Sequence, residues 1–143
     1  MKISGTAIGL AIVGLIVIGV IAWLTPWVHL DNSPKPLGDR LEYVGKFDYG
    51  CIGCDAAPGA AYYYATDMKL EEVVGYFRGA KLIKLQVESK STFVQLENGK
   101  EKFTFDYYTP KNQSQLGDFE IRFRDKNMID IDAKYYATAK DSL

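Results

Sequence analysis

The chain has 143 residues, 17 basic and 18 acidic, with a net charge of −1 and a single histidine. All charged Asp, Glu, Lys and Arg side chains except Lys2 follow residue 30, and basic and acidic residues are interleaved there. This argues against a nucleic-acid binder, which needs a basic face to displace counterions, and the length allows one ordinary domain behind the uncharged start.

Residues 1–30 read as a transmembrane anchor. The centre, Ala7 to Leu24, consists almost entirely of Ile, Val, Leu, Ala and Gly, and roughly 20 apolar residues cross a bilayer as a helix. Trp23 and Trp27 stand at one end of the run, where indole rings concentrate at the membrane interface. The stretch exceeds a secretory h-region, which favours an uncut signal-anchor, while Val20-Ile21-Ala22 offers cleavage as the alternative. Gly5 and Gly9 make a small-xxx-small pair, a weak signal for anchor packing.

Residues 31–40, with Pro34 and Pro36, have the composition of a tether. Residues 41–143 then read as an α+β domain. Leu41 to Tyr49 alternates as a strand, with Gly45 marking a bulge or close approach, and Ala60 to Thr66, with three consecutive tyrosines, is a second strand. Met68 to Arg78 places Leu70, Val73, Val74 and Phe77 on one helical face, with Asp67 as its N-cap and Gly79 as its left-handed exit.

After the helix the pattern predicts strands alone. Ile83, Leu85 and Val87 alternate with polar residues, and Thr92 to Glu97 leads into Asn98-Gly99, a hairpin signal that would set Glu97 against Lys100 and Val94 against Phe103. Phe103, Phe105 and Tyr107 continue the apolar face. Phe119, Ile121 and Phe123 would then form a strand turning through Asp125-Lys126-Asn127 into Ile129, Ile131 and Ala133. The expected architecture is one α-helix packed on an antiparallel, meander-type β-sheet. The absence of a repeating βαβ pattern excludes a Rossmann or P-loop fold.

Cys51 and Cys54 are the one constellation able to carry chemistry directly. Asp55 opposes acidification of a thiol, and Pro58-Gly59 argues against a helix starting at Cys54, so a structural disulfide in an oxidising compartment is the simpler reading and a redox-active pair the rival. That disulfide reading places the domain outside the cytoplasm, periplasmic or extracellular. A zinc site lacks ligands, because the lone His29 sits at the membrane boundary. The same lack leaves a serine or cysteine nucleophile without a histidine base, so an enzyme is disfavoured and neither cofactor nor metal is expected. Asp130 and Asp132 share one strand face, where they could hold calcium or do acid–base work; a charge ladder with Arg122 and Arg124 is the simpler account.

Tyr62, Tyr63, Tyr64, Tyr107, Tyr108, Tyr135 and Tyr136 are the candidate binding surface, since adjacent tyrosines on a strand send one ring to each face. The functional expectation is a single-pass, membrane-anchored, extracytoplasmic binding or accessory module with a protein partner. Its alternatives are a thiol-disulfide redox protein using Cys51 and Cys54, and a small subunit of a larger membrane complex.

Overall fold

The computed structural model describes residues 9, 12–20, 35–50 and 58–143. The chain divides into two compact units, Met1–Asp31 and Asn32–Leu143. In the first, residues 9 and 12–20 are helical, and the seven Ile, Val and Leu side chains of that stretch are exposed. Among the described residues no helix is long and apolar enough to cross a membrane, and the rest of the predicted anchor lies outside them.

The second unit is α+β. Its strands are β1 (Glu42–Tyr49), β2 (Gly59–Thr66), β3 (Lys81–Val87), β4 (Thr92–Asn98), β5 (Glu101–Tyr108) and β6 (Asn127–Asp132). They form one antiparallel sheet in the order β1-β2-β6-β5-β4-β3. Helix α1 (Leu70–Tyr76) joins the two halves, α2 (Phe119–Phe123) follows a 3₁₀ segment at Pro110–Gln115, and α3 (Tyr136–Asp141) ends the chain.

The sheet is therefore not a plain meander: the last strand inserts between β2 and β5. The insertion follows from residues 119–123, which form a helix although their alternation predicts a strand. Phe119 and Phe123 fit either period, being four residues apart, but Ile121 decides between them. A strand would bury all three on one face, whereas Ile121 is 81% exposed and the two phenylalanines pack beneath it against the sheet. Without a hairpin partner, β6 takes its hydrogen bonds from β2 and β5. The chain after it, read as strand, is also helical: Asp132 accepts the Lys134 amide at 3.1 Å and starts the turn toward α3.

Strand alternation gives the sheet two cores. On one face Tyr62, Tyr64, Phe103, Phe105, Ile129 and Ile131 pack with Phe77, Val73 of α1 and Ala139 of α3. Phe77 makes an edge contact with Phe103 at 5.2 Å between centroids and a tilted one with Phe105 at 5.7 Å. On the other face Val44, Tyr63, Ala65 and Met128 lie under Leu116, Phe119 and Phe123.

Helix α1 starts later than expected, with Lys69 rather than Asp67 at its cap. Met68 is fully buried, so the chain stays extended until that side chain is seated; the Thr66 hydroxyl accepts the Met68 amide and the Glu72 carboxylate accepts the Lys69 amide at 2.8 Å. Gly79 does take the left-handed conformation, at φ +74°. The register of β1 shifts between Tyr43 and Gly45, the bulge predicted there, and a Cβ on Gly45 would lie 2.5 Å from the Phe119 ring. In the β4–β5 hairpin the turn is centred on Gly99-Lys100, with Asn98 opposite Glu101, Glu97 opposite Lys102 and Leu96 opposite Phe103. Only Gly99 has positive φ, which suits glycine at the first central position of a type II′ turn. The register differs from the expected one by two residues, so every side chain keeps its predicted face and only its partner changes.

Replacing Phe105, which is 1% exposed at the centre of the first core, by alanine is expected to cost about 3–5 kcal/mol. Gly45→Val should destabilise by about 1–3 kcal/mol by pushing Phe119 off the sheet. Chemical denaturation of the full chain in detergent reads both values.

Candidate functional site

Ile129 and Ile131 of β6 face the helices, which sends Met128, Asp130 and Asp132 to the opposite side. There Asp130 stands directly across from Asp106 of β5 and Tyr63 of β2. Like charges facing each other across a ladder are unfavourable, and the surroundings answer this in two ways. Hydrogen bonds satisfy the carboxyls: the Asp106 amide donates to Asp130 Oδ1 at 3.2 Å, the Tyr108 hydroxyl to Oδ2 at 3.2 Å, and the Ser91 hydroxyl to Asp106 at 2.9 Å. The second answer is protonation. Burial, then the neighbouring Asp106 charge, pushes the Asp130 carboxyl up to about 7, against a smaller downward pull from its hydrogen bonds.

The tyrosines around this pair respond to the same field. Burial, followed by the Asp130 charge, raises both Tyr63 and Tyr108. Tyr49 donates its hydroxyl to Asp132 and is pushed up to about 12 by burial and then by that carboxylate. Asp132 also meets the Lys134 ammonium at 3.5 Å.

These groups floor a depression of about 350 Å³ lined by Phe47, Tyr49, Tyr63, Asp106, Asp130 and Asp132. A second hollow of about 310 Å³, shared through Phe47 and Tyr63, continues toward Leu116 and Phe119. Helix α2 closes one end, with Phe119 stacked on Tyr63 at 4.8 Å. Phe47, at the rim, is 56% exposed. The site is acidic at its base and aromatic at its shoulder, an arrangement suited to holding a cation attached to an apolar body. Among the described residues no group of three or more His, Cys, Asp and Glu is placed to hold a metal ion.

The residues expected from sequence are distributed unevenly. Tyr62, Tyr64 and Tyr107 are buried in the helix-side core, and Tyr135 and Tyr136 are half-buried against it. Tyr63 and Tyr108 lie on the other face, and the structure brings these two together at Asp130. Cys51 and Cys54 lie outside the described residues, in the connection between strands that pair at Tyr49 and Gly59. The Arg122 and Arg124 ladder is absent, because both follow from a strand that is in fact helix α2 and its exit; Arg122 sits instead 5.7 Å from the Phe123 ring.

Phe47, Tyr49 and Asp106 were not singled out by sequence reasoning. Asp106 alternates with Phe105 and Tyr107 as any solvent-facing strand residue does; only the insertion of β6 beside β5 pairs it with Asp130.

Compared with known proteins, the chain matches no family model, no curated protein and no solved structure.

Between about pH 4, where a free aspartate titrates, and about pH 7, the folded chain holds a proton on Asp130 that the unfolded chain has released. Unfolding then releases a proton, so stability is expected to fall as pH rises across that window, by up to about 4 kcal/mol, and to level above it. Asp130→Asn should abolish this slope and be more stable than wild type at pH 8, as read by denaturation at a series of pH values.

Proposed function

We propose that the chain is a single-pass, membrane-anchored module whose domain stands outside the cytoplasm and acts by binding, as an accessory or interaction protein. The anchor rests on the uncharged run of residues 3–30 and on the helical residues 12–20 with their apolar side chains exposed. The extracytoplasmic placement rests on the close pair Cys51 and Cys54 read as a disulfide.

The observation that carries the binding reading is the depression over Asp106, Asp130 and Asp132 with Phe47 and Tyr49 at its rim. Carboxylates at the base attract an ammonium or guanidinium group, and the rings receive the hydrocarbon that bears it. A basic side chain of a protein partner, or a small organic amine, has this chemistry. Asp130 ionises near neutrality, so the site gains negative charge as the pH rises through about 7.

Titration of the full chain in detergent with benzylammonium, and with benzyl alcohol as its neutral counterpart, tests this. Binding of the amine is expected, tightening from pH 6 to pH 8 and weakening about tenfold in Asp106→Asn or Phe47→Ala. Equal affinity for the alcohol, or no saturable binding of either, would overturn the reading. Retention in the membrane fraction after alkaline washing, with a mass that includes residues 1–30, is the outcome expected of the anchor; release or a truncated mass would refute it.

A further inference from the structure

Strand β3 forms one edge of the sheet, and all seven of its residues are exposed. On the helix side Leu82 and Leu85 lie in register with Leu96 and Val94, both fully buried, yet they are themselves 43% and 46% exposed, and Val87 is 77% exposed. The apolar layer of the core thus runs out to an uncovered edge. Natural edges of this kind are blunted by lysines and bulges, and β3 has both, but the bulge between Leu82 and Lys84 leaves the following stretch regular.

That stretch, Lys84-Leu85-Gln86-Val87-Glu88, is complementary to itself when reversed. Centred on Gln86, an antiparallel copy sets Lys84 against the partner's Glu88 and Leu85 against the partner's Val87, with the two Gln86 amides facing each other. Neighbouring centres lack this match. Centring on Lys84 opposes two lysines, on Leu85 leaves both charges against neutral residues, and on Val87 sets Lys84 against the partner's Lys90. The charges also lie together on one face: Gln86 Nε2 is 3.5 Å from Glu88 Oε1, and the Lys84 ammonium sits 5.6 Å over the Phe93 ring on the neighbouring strand.

We propose that β3 is a dimerisation edge, which pairs antiparallel with β3 of a second copy about a two-fold axis at Gln86 and joins the two six-stranded sheets into one. The cross-strand ion pairs fix the register, and the Leu85 and Val87 contacts remove apolar surface from water.

Sedimentation of the full chain in detergent tests this through a charge-exchange cycle. Wild type is expected to be a dimer; Lys84→Glu and Glu88→Lys should each weaken association about tenfold, and the double variant should recover most of it. Both side chains are exposed, so circular dichroism should show the fold unchanged in all three variants. A monomeric wild type at micromolar concentrations would overturn the proposal. So would a dimer indifferent to the single changes, which would place the contact elsewhere in the chain, or a double variant as weak as the singles.

Discussion

Everything in the domain depends on the burial of β6 between β2 and β5. Its two isoleucines, Ile129 and Ile131, have no exposed surface, because hydrogen-bonded strands flank them on both sides and helices cover them. Without this strand the β1–β2 hairpin and the β3–β4–β5 unit would each present a bare backbone edge at the middle of the protein. Because side chains alternate along a strand, fixing Ile129 and Ile131 toward the helices also commits Asp130 and Asp132 to the opposite face. The same constraint therefore closes the core and creates the acidic depression.

The two faces are protected to different degrees. Helices α1 and α3 seal the first, where Tyr64 is so enclosed that its hydroxyl is buried without a hydrogen-bond partner among the described residues. Among the described residues the second is covered at one end, by the 3₁₀ segment and α2, and carries the Asp106–Asp130 pair beyond that cover. Two aspartates in direct register on central strands reduce stability when both are ionised. Here they line a hollow beside the aromatic side chains of Phe47, Tyr49 and Tyr63, and this cost in stability is the physical basis for the binding role proposed above.

How far the sequence disclosed this depends on the range of the interaction that decides each element. Local patterns were sufficient for β1 with its bulge at Gly45, for β2, for the apolar face of α1 and for the two-faced alternation of β4 and β5. The segment Phe119–Phe123 was misread because its spacing satisfies two periods, and only contact with Val44, Tyr63 and Met128 selects the helix. Tyr135-Tyr136 reads as an adjacent strand pair with one ring on each face, whereas packing of Ala139 into the core and the bond from the Tyr136 hydroxyl to the Pro36 carbonyl hold a helical end there. The site was less legible than the fold. Asp130 could be seen, but its partner depends on strand order, which no local pattern encodes.

The late position of β6 in the chain has a consequence for how the protein is made. The β1–β2 and β3–β4–β5 units pair near neighbours in sequence and can form as each hairpin emerges during synthesis, but Ala61 must wait for Asp132 before the inner edge of β2 is satisfied. Nascent chains shorter than about that length expose two unpaired inner edges and an unsealed core. The strand that closes the sheet is thus the last of the six to be synthesised, and the inner edges of β2 and β5 are both paired only once residues 127–132 are present.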